Sequence, residues 1–427
     1  MPTATLLRAG PIQVKYADGE LRYLRAGGRE ILRRVYFAVR DALWDTAVPA
    51  PAAEVQADAR SFRVTLDAEC RNPRAHYRWH GEIIGTAEGE ITVTVRGAAP
   101  ADFASPRIGL CLLFGAPALT GRPYEVIAAD GRVTPGVFPD LVEPALLQPL
   151  NSFQSLRYTV GGLRVETSLR GGAFGMEDQR NYGDASYKAM SGMPYDYPHI
   201  RAGEAHAQTV TLRVTGAPAA NDEADTARIT LGAPLAARLP KLVPSTAEAN
   251  FANLTARHWD PARVPAAHPL VLPYSPGLHL FDDDTYLENI PTVVDWARTL
   301  RAARPGAPIR LDPVTLNPPY PRPGDDPRVR APFAAAWSAR LMKFAALAGI
   351  EEVAFAFDHP LHARLAACAG APLLATAATE TVDALAIRDG ETPRAWLINR
   401  TDEPRQVEFA GQWHVLAGYE VAEVTDP

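Results

Sequence analysis

The chain has 427 residues, 47% hydrophobic and 22% charged, with 43 basic and 49 acidic side chains for a formal net charge of -6. That length exceeds what one core ordinarily holds and predicts more than one domain, while the composition excludes a disordered or fibrous chain. The charges are interspersed without a Lys/Arg block to grip phosphates, so no nucleic-acid partner is expected.

Cys70, Cys111 and Cys368 are too far apart for a disulfide framework or a CxxC metal site, and they read as small core residues. No metal and no cofactor are assigned. The N-terminal stretch MPTATLLRAGPIQVKYADG reaches a strand-like pattern before any signal-length apolar run. No window is long and apolar enough to span a membrane, so a cytoplasmic protein without a membrane partner is expected.

From residue 10 to about 235 apolar residues alternate, as in Phe62, Val64, Leu66, then Ile91, Val93, Val95, then Val210, Leu212, Val214. Short runs of this kind, bounded by turn signals such as Asp18-Gly19 and Asp130-Gly131, predict an antiparallel sandwich over residues 1–235. The small and acidic stretch 217–229 is expected to lead to its last strand.

The period changes over 236–375. PLVLPYS (269–275) reads as a strand, and Asp284 offers an N-cap to a helix carrying Leu287, Ile290, Val294, Ala297 and Leu300. Strand 309–316, helix 333–348, strand 352–357 and a helix from Pro360 follow. Such alternation implies parallel strands and right-handed crossovers, with too few units to close a barrel. Over 376–427 alternation returns, with Asp389-Gly390 as a hairpin turn, and these strands either rejoin the sandwich or form a sheet of their own. The fold class is thus mixed β and α/β: an N-terminal antiparallel β-sandwich, a partial (β/α) barrel-like domain, and C-terminal β-strands. Pro313–Pro327 reads as a long loop.

The densest polar cluster is FGMEDQRNYGDASYKAMS, residues 174–191. Glu177 and Asp178 could supply a carboxylate while Arg180, Asn181 and Lys188 bind an anionic or polyhydroxylated ligand; the other reading is a loop that satisfies its own charges. His279 and Asp282 follow a strand where βα loops build active sites, although capping and the helix dipole explain the neighbouring aspartates equally well. No second His stands at ligand spacing from His279. Asp312 and Asn317 lie on or beyond the next strand, either lining a site or, for Asp312, pairing with a neighbouring strand. Asp358 stands at the tip of the third, as a catalytic group or as a near-cap residue. Neither a GxSxG elbow nor a phosphate-cradling glycine loop is present.

MEDQRNYGDASYK (176–188), LRRVYFAVRDALWDT (32–46), PRIGLCLL (106–113), LHLFDDDTYLEN (278–289) and DPVTLNPPYPRP (312–323) together give a chain that resembles the D-apionate lactonases along its whole length. Tyr182 stands where that family usually has Trp. The resemblance implies a carbohydrate-catabolic hydrolase that opens D-apionolactone to D-apionate, built as a β-sandwich carrying a (β/α) barrel with carboxylates on its strands. The sequence departs from that pattern. The sandwich runs out near Pro240, and 249–258 already looks like the loop after a mid-barrel strand, so the first half of the barrel is expected to be missing. FAFDH (354–358) puts Phe357 where the family tends to show Glu.

Two functions follow. One is a hydrolase of a sugar-acid lactone, with a site rebuilt from Glu177, His279 and Asp358 and with Asp178, Arg180, Asn181, Lys188, Asp282, Asp312 and Asn317 as binding residues. The other is a non-catalytic sugar-acid binder or the partner subunit of a full-length homologue, in which lactone opening is weak or lost. The truncated sheet is expected to expose a strand edge and to favour a twofold homo-oligomer. The cluster 177–188 is expected to face the partial barrel.

Overall fold

The computed structural model describes residues 4–143, 150–172, 174–191, 199–217, 228–254, 260–318, 325–379, 381–390 and 392–425. The acidic stretch at 218–227 and parts of the stretches 249–258 and 313–327 fall outside the described residues. The chain divides into two compact units: Met1–Asp140, Gln148–Asp178 and Ser186–Asp222 form the first, and Leu141–Leu147, Gln179–Ala185 and Glu223–Pro427 the second.

The first unit is antiparallel β, as the alternation predicts. An eight-stranded sheet runs, in spatial order, through Thr5–Ala9, Ile12–Ala17, Glu20–Ala26, Arg29–Val39, Ile108–Gly115, Ser186–Ser191, Phe174–Asp178 and Leu150–Phe153. A nine-stranded sheet runs from Val133–Val137 at one edge to Pro49–Ala57 at the other. One core is filled from both, with Leu32, Val35 and Phe37 from the first and Val64, Leu66, Tyr77 and Val93 from the second. The Asp18-Gly19 turn closes Ile12–Ala17 onto Glu20–Ala26 with both turn residues at positive φ, 51° and 81°, as a two-residue type I′ hairpin requires.

The second unit holds a four-stranded parallel sheet in the order Lys241–Leu242, Glu352–Phe355, Ile309–Val314, Leu270–Tyr274. The first strand in the chain pairs with the last, which is how a (β/α) barrel closes its seam. Residues 243–269 alone lead from that first strand to the second, so the sheet stays a partial barrel. Leu270, Leu272, Tyr274, Ile309, Leu311 and Val353 share one core with helices Thr292–Ala303 and Pro332–Leu347.

On the other face Arg310 pairs with Asp312 at 2.7 Å and with Glu352 at 3.6 Å. Asp312 also accepts from the Ser245 hydroxyl at 2.6 Å and from the Thr246 hydroxyl and amide at 2.8 and 3.1 Å. Burial alone would push the Asp312 carboxyl up, but these hydrogen bonds and the Arg310 charge hold it below its ordinary value.

The edge of this sheet is not open for pairing, contrary to the expectation from its truncation. Asn250 donates its N–H to the Val271 carbonyl at 2.9 Å, and its side-chain oxygen accepts the Val271 N–H at 2.7 Å. Pro273, two residues on and facing the same way, has no N–H to offer.

Three further expectations are corrected. The single helix expected after Asp284 is two helices, Asp283–Glu288 and Thr292–Ala303, because Asp282 is the N-cap and Pro291 starts the second. The third parallel strand ends at Phe355, which leaves Phe357 and Asp358 in the following loop. Arg228–Arg238, read as the last strand of the sandwich, pairs instead with Pro372–Ala377 and Arg405–Phe409. It thereby joins the C-terminal strands in a sheet of their own, ordered Gln412–Leu416, Arg405–Phe409, Arg228–Arg238, Pro372–Ala377, Val382–Asp389, Thr392–Asn399, Val421–Thr425. Among the described residues no helix is long and apolar enough to cross a membrane.

Candidate functional site

The polar cluster is divided between the units. Glu177 and Lys188 face each other across paired strands of the first unit, where Glu177 meets Arg107 at 3.4 Å. Lys188 is 4% exposed, and burial lowers its ammonium pKa, with the Glu177 carboxylate acting in the opposite direction. Asp178 is buried as well.

Gln179–Tyr182 forms a 3₁₀ turn belonging to the second unit, and Gly183 then takes a φ of 101° that a side chain would strain. This turn aims Asp184 at the loop beyond the C-terminal end of Leu270–Tyr274. Asp184 Oδ2 lies 2.5 Å from His279 Nδ1, and Asp184 Oδ1 accepts from Asn289 Nδ2 at 2.9 Å. Asn289 also donates to the Pro276 carbonyl at 3.1 Å and accepts the Ala185 N–H at 3.1 Å, so one amide fixes both ends of the arrangement. The Tyr182 ring stands edge-on to His279 at 5.4 Å. His279 keeps 21% and Asp184 13% of their side-chain surface exposed, which leaves the pair shielded but reachable. Behind them Tyr274 is fully buried; burial keeps its hydroxyl protonated, and the Asp184 charge adds to this.

With Nδ1 facing a carboxylate, the neutral ring carries its proton on Nδ1 and its lone pair on Nε2. The carboxylate fixes the tautomer and stabilises the imidazolium that forms. Asp184 belonged to the cluster seen in the sequence but carried no assigned role; its spacing from Glu177 gave no hint of His279, 95 residues away.

The other sequence-derived candidates have different surroundings. Arg180 is fully buried, with its guanidinium 3.5 Å from Asp295 and 3.4 Å from the Leu141 carbonyl, while its own carbonyl accepts the Trp296 indole N–H at 2.6 Å. The Asn181 carbonyl accepts the Leu254 N–H at 3.0 Å. Arg180 and Asn181 therefore tie this turn to the α/β part of the second unit, whereas Glu177, Asp178 and Lys188, expected to face the partial barrel with them, belong to the strands of the first unit. Asp282 caps its helix by accepting from Thr285. Asn317 accepts the Asp326 N–H at 2.6 Å and receives the Ser275 hydroxyl on its carbonyl at 2.7 Å. Asp358 is exposed beyond the third strand, where its charge acts on His362, a ring stacked on Phe355 and hydrogen-bonded to Ser338. Among the described residues no three His, Cys, Asp or Glu side chains gather as a metal site would need.

An antiparallel sandwich followed by a partial (β/α) barrel, with an Asp–His pair beyond a parallel strand, defines the architectural class. Family models match in the same order: the D-apionate lactonase N-terminal domain at residues 1–217, its TIM barrel domain at 262–363 and its C-terminal immunoglobulin-like domain at 379–424. The chain belongs to the D-apionate lactonase family. It is 30% identical over 264 residues to a D-apionate lactonase of Brucella anthropi, a match that covers 58% of this chain and 43% of that relative. The chain thus spans less than half the length of the curated relative it matches.

Among solved structures, a galactose mutarotase-like protein from Lactobacillus casei aligns at TM-score 0.32 and 10% identity over 50% of this chain and all of that one. An α-galactosidase from Lactobacillus brevis aligns at TM-score 0.33 and 9% identity over 86% of this chain and 66% of that one. Likenesses this loose carry no argument about function.

Proposed function

We propose that the chain hydrolyses a sugar-acid lactone, the lactone of D-apionate being the first candidate, with His279 as general base and Asp184 as its positioning carboxylate. The observation that carries this reading is the 2.5 Å contact between Asp184 and His279 in the loop beyond a parallel strand. Water attacks the lactone carbonyl carbon as His279 Nε2 takes its proton. The acyl C–O bond then breaks, and the imidazolium returns the proton to the departing ring oxygen. One water is consumed and one hydroxy acid released, whose carboxyl ionises at neutral pH.

Family membership supports the lactone as substrate class. Glu177, beside Arg107 and Lys188, is the competing base in this reading, and the two are separable. Acid release from the lactone, followed by pH-stat titration, is expected to collapse in His279→Gln and to survive in Glu177→Gln; the reverse pattern transfers the role to Glu177.

A second reading, a sugar-acid binder without turnover, is favoured by Phe357, an apolar ring packed on His362 at the position where the family resemblance leads one to expect Glu. Calorimetry with D-apionate alongside the titration separates binding from turnover.

A further inference from the structure

Gln412–Leu416 is the edge strand of the second unit's seven-stranded sheet, and among the described residues only Arg405–Phe409 pairs with it. The hairpin joining the two turns through Ala410 and Gly411, at φ 50° and 79°. A two-residue turn makes Phe409 and Gln412 the first hydrogen-bonded pair. Alternation along the antiparallel ladder then aims the N–H and C=O of Trp413 and Val415 away from Arg405–Phe409. The same two residues carry large apolar side chains that are 64% and 66% exposed. The strand QWHVL has no proline, no lysine and no register shift, the devices that keep edges apart.

These features are self-complementary under a single operation. A twofold axis through His414 lays the strand antiparallel on its copy, so that Trp413 opposes Val415 of the partner subunit and Val415 opposes Trp413 of the partner subunit. Each of these pairs has its main-chain groups pointing outward and exchanges both N–H···O=C bonds, while the indole packs on the valine across the ladder. We infer that the chain associates with a second copy of itself through Gln412–Leu416, as an antiparallel strand pair centred on His414. A sugar ring stacked on Trp413 would leave Val415 and the outward main-chain groups without a role. One short strand and two side chains per copy bury less than the roughly 1,200 Å² of a stable interface, so the dimer is weak and concentration dependent.

Two measurements on the full chain test this. In sedimentation velocity over a series reaching roughly 100 μM, the range in which a weak dimer populates, the wild type is expected to gain mass while Val415→Lys stays monomeric with an unchanged unfolding transition. In the proposed register residue 414 meets its own copy at a non-hydrogen-bonded site with Cα atoms about 4.5 Å apart, within the span of a disulfide. Cys70, Cys111 and Cys368 are all buried. Mild oxidation is therefore expected to cross-link His414→Cys into a dimer and to leave Gln412→Cys uncross-linked. Association that is lost in Val415→Lys together with the 414 cross-link supports the interface, and absence of either overturns it.

Discussion

Asp184 Oδ2 lies 2.5 Å from His279 Nδ1 while Asn289 holds the other carboxylate oxygen at 2.9 Å, so the carboxylate cannot swing away from the ring. If this pair activates water, Asp184→Asn leaves the imidazole in place and removes the charge that stabilises its protonated form. Turnover is expected to fall by roughly 10² to 10⁴, the usual contribution of general acid–base catalysis, with KM little changed. Steady-state kinetics on the lactone checks this, and a rise in KM alone would assign Asp184 to binding.

Arg180 was a candidate ligand-binding residue in the sequence, and the structure gives it no exposed surface. Asp295 keeps Arg298 at 3.7 Å when Arg180 is removed, so its charge is not stranded. Arg180→Ala is therefore expected to lower the unfolding midpoint in urea by an amount corresponding to the loss of charge-assisted hydrogen bonding, roughly 1.5–3 kcal/mol, through its contacts with Asp295 and the Leu141 carbonyl. A variant of normal stability with weakened sugar-acid binding would restore the ligand-binding role.

Asn250 stands in for a missing strand by satisfying both main-chain groups of Val271. Asn250→Ala leaves the Val271 N–H without its acceptor, a loss of about 1–3 kcal/mol for a buried donor. Thermal unfolding measures that loss. Aggregation on heating is expected to rise as well, since the Val271 N–H is then open to pairing while the residue-250 amide on the Val271 carbonyl and Pro273 still blunt the rest of this edge.

His362 supplies a pH signature. Burial pushes its pKa down to about 4, with the neighbouring His359 adding to the shift. A base whose pKa is depressed on folding contributes stability that is present above its unfolded value, near 6.5, and is lost as pH falls toward 4. Stability is therefore expected to decline between pH 6.5 and 4. His362→Phe, which keeps a ring against Phe355, is expected to flatten that decline in urea titrations at pH 7, 5.5 and 4.5.

The β architecture was legible because alternation is a local signal: Phe62–Asn72 and Ala75–Gly85 bury every second residue as the sequence implied. Three of the four parallel strands were legible as apolar runs, but the two-residue strand Lys241–Leu242 and the order of the sheet were not. That Lys241–Leu242 pairs with Glu352–Phe355 depends on residues more than a hundred positions apart. Arg228–Arg238 alternates like its neighbours in the sandwich, and only long-range pairing assigns it to the C-terminal sheet. At the proposed site, the density of charge over 177–188 marked a segment but not which of its side chains meets His279. Composition cannot distinguish Arg180, used internally against Asp295, from Asp184, aimed at His279.

The most direct measurement is acid release from the lactone of D-apionate by the purified chain, above the spontaneous rate and beside His279→Gln. Turnover in the ordinary enzyme range of roughly 1 to 10³ per second is expected, abolished in His279→Gln while D-apionate still binds. Release no faster than the spontaneous rate, from wild-type protein that binds D-apionate in calorimetry, would contradict the proposed hydrolysis.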